Sequence, residues 1–155
     1  MRYSRALRHP PDKVWRALTE PEHTRWWLPI EMIGTLEPHA VVALRFWPDL
    51  AEKYHVDRDA GVGTIRIWDP PTTFEWTWAE SVIRFDLSPT VDGSDLTLTV
   101  TIATDDTDTI IDNAGGYHLW MDHIVGLLDN GTHRPIADAD AAPVESRYRE
   151  QLQRE

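Results

Sequence analysis

The sequence predicts an α+β domain: a curved antiparallel β-sheet wrapped around a long C-terminal α-helix, with two short helices after the first strand. Three observations carry this. Residues 31–102 hold run after run of apolar–polar alternation, the two-residue period of half-buried strands. Residues 116–128 (GYHLWMDHIVGLL) place Tyr117, Trp120, Met121, Ile124, Leu127 and Leu128 at spacings of three and four, which is one wide apolar stripe of a helix. This is the only long amphipathic stretch, so it must cover the apolar face of the sheet.

The elements follow in order. Residues 2–8 (RYSRALR) read as a short strand whose parity the residues leave open. His9-Pro10-Pro11-Asp12 turns the chain into a helix. Pro11 suits the first turn, where its missing N–H is not needed, and Asp12 lies near the positive end of the dipole. Val14, Trp15, Ala17 and Leu18 are its apolar members. Thr19 and Glu22 have the spacing of a capping box for a second short helix ending at Trp26-Trp27. Strands are predicted at 31–36, at 40–47 (Val42, Leu44 and Phe46 opposite Arg45), and at 63–68 up to Asp69-Pro70-Pro71. Further strands follow at 73–78 (Phe74, Trp76 and Trp78 opposite Glu75 and Thr77), 82–87 and 96–102, the last two joined across Asp92-Gly93. Trp68 shares the parity of Arg66 and is expected to face solvent or the sheet edge.

Residues 48–60 (PDLAEKYHVDRDA) lack periodicity and read as a long loop, a place where binding loops and lids occur. Asp112 is the expected N-cap of the long helix, and Asn130-Gly131 its stop. Gly126, inside that helix, costs about 1 kcal/mol relative to Ala. A close approach by a strand or a ring is the expected compensation. The domain is placed at 1–131. Residues 132–155 are a tail expected to lie loosely on the surface, with a short helix in 145–154.

Composition narrows the function. At 155 residues the chain can bury one core. Its formal net charge is −11, which argues against nucleic acid and anionic membrane surfaces. It has no cysteine, hence no disulfide, thiol nucleophile or thiolate metal site. No signal-like or bilayer-spanning run is visible, so a cytoplasmic protein is expected. Eight tryptophans offer large, rigid apolar walls.

Three stretches resemble a known family. Residues 9–29 (HPPDKVWRALTEPEHTRWWLP), 63–78 (GTIRIWDPPTTFEWTW) and 116–128, with the turn DGSDLTL, are similar to the START-like (SRPBCC, Bet v 1-like) superfamily. Within it they most resemble the branch named for the activator of Hsp90 ATPase. The resemblance implies the helix-grip fold and a cavity between the curved sheet and the long helix. It also implies apolar ligands such as lipids, sterols or polyketides, cyclase or aromatase activity in some members, and service to a chaperone in the eukaryotic namesake. It supplies no catalytic motif. Tyr117 stands where the family commonly has Trp, and Val100 where a His is common.

The ligand-binding set read from the sequence is Trp27, Phe46, Phe74, Trp76, Trp78, Phe85, Tyr117, Trp120, Met121 and Ile124, all expected to point into the helix–sheet space. The opposing reading is that these side chains simply fill it. Tyr117 is the expected polar handle. His118 and Asp122, one helical turn apart, invite a metal reading together with His123, but no third ligand has a recognisable spacing. Asp105, Asp106, Asp108 and Asp112 read as a solvated acidic run rather than a calcium loop. Glu52 and His55 read as surface loop residues, and Glu75 and Arg84 as a cross-strand pair. The leading reading is a non-enzymatic module for a small apolar or aromatic molecule, with no cofactor, no metal and no catalytic residue assigned. Next come a cyclase-like enzyme using Tyr117, His118 or His55, and then a chaperone-linked interaction domain. Nucleic acid and membrane insertion are not expected; a homodimer is compatible with the sequence.

Overall fold

A computed structural model describes residues 1–136 and 138–154. Strand β1 (Arg2–Leu7) leads to α1 (Pro11–Thr19) and the one-turn α2 (Pro21–Thr24). Then come β2 (Ile30–Ile33), β3 (Val41–Phe46), α3 (Pro48–Tyr54), β4 (Asp59–Asp69), β5 (Thr73–Trp78), β6 (Ser81–Pro89) and β7 (Ser94–Thr101). Two helices finish the chain, α4 (Thr107–Asn130) and α5 (Asp138–Gln153). The strands form one antiparallel sheet in the order β1-β7-β6-β5-β4-β3-β2. The curved sheet around a long C-terminal helix is the architecture expected from the alternation and the apolar stripe.

The sheet's inner face is built from the alternating residues. Val42, Leu44, Phe74, Trp76, Ile83, Phe85, Leu87, Leu96, Leu98 and Val100 are all buried. Tyr3 and Leu7 settle the parity of β1, both pointing inward. On the outer face Glu75 lies between two arginines, 3.2 Å from Arg66 and 3.5 Å from Arg84, the cross-strand pairing anticipated for it.

Several local expectations give way. Trp68 is not solvent-facing. The β4–β5 register shifts between Ile65 and Ile67, which reverses the parity beyond that point and sets Trp68 against Trp15 and Phe74. The stretch at 48–60 is not a loop throughout. Pro48 opens α3, Asp49 sits in its first turn, and His55 closes it in the left-handed conformation at φ 52°. A helix this short shows too few turns for its apolar period to be readable.

The Thr19–Glu22 capping box does not form. Thr19 still belongs to α1 and donates its hydroxyl to the Trp15 carbonyl at 2.8 Å, while Glu20 precedes Pro21 as N-cap of α2. The N-cap of α4 is Asp106, not Asp112: its carboxylate accepts from the Thr109 N–H (2.9 Å) and hydroxyl (2.6 Å). Gly131, at φ 62°, ends α4 as expected.

Gly126 meets no strand or ring; a Cβ there would only touch Thr132, at 3.9 Å. The close approach is at Gly115, where a Cβ would stand 2.8 Å from Glu145 Cγ of α5. Helix α5 is longer than the short helix expected near the C-terminus. It packs along α4, burying Val144. Ala137 and Glu155 of the expected tail lie outside the described residues.

Candidate functional site

The aromatic side chains of β5 run along the concave face of the sheet. Phe74 and Trp76 are nearly parallel with centroids 6.4 Å apart, and Trp76 and Trp78 are 6.3 Å apart. Trp27, at the end of the turn after α2, leans edge-on against Phe85 (5.6 Å) and Trp120 (5.5 Å). Its indole N–H donates to the Ala17 carbonyl at 2.9 Å, which locks the ring in place. Tyr117 sits edge-on to Trp120 at 4.7 Å. Beneath α4, Phe85, Met121 and Ile124 are fully buried, so side chains occupy that volume.

Two clefts share Trp27 and Leu28 in their walls. An outer cleft of about 270 Å³ is walled by Trp26, Trp27, Leu50, Leu119, Trp120 and Ile136. An inner chamber of about 220 Å³ is walled chiefly by Leu18, Thr24, Trp27, Met32, Phe74 and Trp76. A shallow depression of about 300 Å³ touches Trp78, Tyr117 and Trp120, with Asp112 and Asn113 beside them.

Of the ten residues read from the sequence, Trp27, Phe74 and Trp76 therefore border the inner chamber, Trp27 and Trp120 the outer cleft, and Trp78, Tyr117 and Trp120 the depression. Phe46, Phe85, Met121 and Ile124 border none of the three. Phe46 instead packs on Trp78, with centroids 6.3 Å apart. Sequence reasoning missed Trp26, Leu28, Leu50, Leu119 and Ile136. Trp26 was legible as half of a tryptophan pair. Leu50 needed the helix α3, and Leu119 lies off the main stripe of α4.

The polar groups divide by side of α4. Burial raises the pKa of the Tyr117 phenol above its ordinary value, with the Ser81 side chain pulling the other way. His118 faces the other way, toward β1 and α5. Its Nδ1 is 3.1 Å from the Tyr148 hydroxyl and its Nε2 is 3.3 Å from Asp122, which also pairs with Arg5 at 3.1 Å. Burial lowers the pKa of His118 despite the opposing pull of Asp122. Tyr117 and His118 thus do not converge on one reacting centre.

The Nδ1 of His123 is 3.0 Å from the Leu119 carbonyl. Among the described residues, the metal-like gathering of three ligand atoms is not His118, Asp122 and His123. It is Glu20, Glu22 and His23 on the surface, within 4.8 Å of one another. Glu52 and His55 are exposed.

Among the described residues, two enclosed side-chain polar atoms have no partner: the Trp76 indole N–H and the Nε2 of His123. The indoles of Trp27, Trp47 and Trp78 donate to the carbonyls of Ala17, Leu28 and Ala60. The indole N–H of Trp76, a residue with no exposed surface, has no acceptor. An enclosed, unmatched donor costs about 1–3 kcal/mol.

An antiparallel sheet of seven strands gripping a long C-terminal helix, with short helices after the first strand, defines a helix-grip protein. The profile of the family described as "Activator of Hsp90 ATPase homolog 1-like protein" matches residues 8–129, and the chain belongs to that family. No curated protein matches the chain in sequence.

Solved structures share the fold. A conserved protein of unknown function from Enterococcus faecalis aligns over 99% of this chain and 84% of its own, at 19% identity and a TM-score of 0.73. A protein from Bordetella parapertussis aligns over 96% and 84%, at 22% identity and 0.73. The Aha1 dimer from Colwellia psychrerythraea aligns over 85% and 97%, at 15% identity and 0.65. No helix among the described residues is long and apolar enough to cross a membrane.

Proposed function

We propose that the chain binds a small hydrophobic or aromatic molecule, of lipid, polyketide or similar character, in the space that the sheet and helices enclose around Trp27. The observation that supports this is the pair of apolar clefts that meet at Trp27, in a fold whose relatives keep the same long helix over the same sheet. Burial of apolar surface supplies the affinity, at about 25 cal/mol per Å² removed from water. Residues 1–131 form the binding domain in this reading. The segment 132–155 adds Ile136 and Ala141 to the wall of the outer cleft.

Native mass spectrometry of the freshly purified full chain tests the proposal. The expected result is a stoichiometric adduct that is lost on denaturation and recovered by solvent extraction. A bare chain that also leaves its tryptophan fluorescence unchanged on titration with apolar probes would overturn it. A homodimer, the state in which the Colwellia relative is described, is tested by sedimentation: twice the chain mass at micromolar concentration is the supporting result.

A further inference from the structure

We infer that the ligand of the outer cleft is an amphipathic monoanion, an arylalkyl carboxylate in size and shape, and that Arg25 at the cleft wall holds its carboxylate. The inference rests on the binding reading above and adds to it the ligand's charge and the residue that recognises it. Among the described wall residues of this cleft, Arg25 alone carries a charge. The rest are apolar or aromatic, with Trp26, Trp27 and Trp120 supplying flat surface.

Arg25 is exposed, and its surroundings set it apart from the other arginines of this acidic chain. Arg5, Arg45, Arg58, Arg84 and Arg149 each reach a carboxylate at 2.6–3.1 Å. Arg25 reaches none among the described residues, although the chain has 26 acidic side chains against 15 basic ones. Its partners are rings. The guanidinium carbon lies 5.0 Å from the centre of Trp26 and 5.8 Å from that of Trp47, within cation–π range. Both indoles are fixed. The His133 ring stacks on Trp26 at 5.1 Å, and the Trp47 N–H donates to the Leu28 carbonyl at 2.8 Å. Ring faces attract the charge but accept none of its N–H donors in the way a carboxylate does. A second cation stands at the same cleft: the Lys53 Nζ lies 5.0 Å from the centre of the Tyr54 ring, another wall residue.

Size limits the body of the ligand. The cleft measures about 270 Å³; a cavity of about 150 Å³ takes benzene, so this one takes roughly eleven non-hydrogen atoms. The net charge of −11 repels anions at a distance. Attraction is therefore local to the guanidinium, which suits one carboxylate and disfavours a polyanion. A cationic head is opposed by Arg25 itself.

Three probes of matched shape test this on the full chain by calorimetric titration: 3-phenylpropanoate, its neutral amide, and 3-phenylpropylammonium. The acid should bind about tenfold tighter than the amide at low salt, the yield of one charge-assisted pair, and its advantage should shrink as salt is added. The ammonium should bind weakest. In Arg25→Gln the acid and amide should bind alike, with the amide's affinity unchanged from the native chain. Leu50→Trp, which adds bulk at the cleft wall, should weaken both.

Equal affinities of acid and amide in the native chain, or an acid preference that survives Arg25→Gln, would overturn the assignment to Arg25 and leave the general binding reading standing. Unchanged binding in Leu50→Trp would overturn the location. Failure of all three probes to bind would overturn the ligand class; the adduct measurement on the whole chain then separately decides the broader proposal.

Discussion

His118 stands where β1, α4 and α5 meet, with Tyr3, Arg5, Asp122, Arg147 and Tyr148 around it. Burial holds its pKa below the ordinary 6.5, so the folded state resists its protonation more than the unfolded chain does. The unfolded state therefore binds more protons as pH falls through 6.5, and stability drops with falling pH in that window. His118→Gln should flatten the slope of melting temperature against pH just below 6.5, relative to the native chain. An unchanged slope would show that His118 does not couple to folding. Gly126 offers a second residue-scale prediction. It is helical, with nothing closer than 3.9 Å to an added Cβ, so Gly126→Ala should stabilise the chain by about 0.5–1 kcal/mol. Thermal unfolding checks this; a lower melting temperature would contradict it. Gly115→Ala should do the reverse, because its Cβ would run into Glu145. The two glycines look alike in sequence. Only the position of α5 separates them.

At the scale of elements, the helices are the informative cases. Asp106 caps α4, and its bonds to Thr109 hold its carboxyl below the usual carboxylate range. Asp106→Ala should fray the first turn of α4, read as faster amide exchange at Thr109 and Ile110 with the far end of the helix unchanged. The acidic run hid this boundary, since polar residues carry no apolar period and four aspartates compete as caps. Helix α5 was equally hard to read. Its own apolar pattern is weak, and what holds it is specific: Val144 buried against α4, Tyr148 on His118, and Arg149 2.6 Å from Asp108. Val144→Ala should cost about 1–2 kcal/mol and raise exchange along α5 first. Uniform loosening of the sheet instead would show that α5 folds with the core as one unit.

The whole molecule is a sheet whose concave face carries more aromatic bulk than the long helix alone can cover. Trp27 closes the gap between α2, β6 and α4, and in doing so divides the interior into an inner chamber and an outer cleft. Trp27→Ala should merge the two and cost about 3–5 kcal/mol, the range for large-to-small aromatic changes in cores. Calorimetry gives the loss, and an enlarged binding preference for longer apolar probes gives the merger. A loss below 1 kcal/mol would mean that the core collapses into the space. The net charge of −11 acts at the same scale: it disfavours polyanions of any sequence.

What the sequence by itself determined is the layer plan. Strand alternation and the stripe of α4 are repeated signals, set by backbone geometry and summed over many residues, so they survive local error. The inward direction of Phe74, Trp76, Phe85, Trp120 and Met121 follows from the same periods. What only the tertiary structure decided is how those side chains share the interior. One shifted register in β4 turned Trp68 inward; one tight glycine let α5 reach α4; one locked ring, Trp27, split the space. Each is a single packing event between residues distant in the chain. Such events leave no period behind, because close packing is settled by the shapes that meet and not by the pattern along either partner.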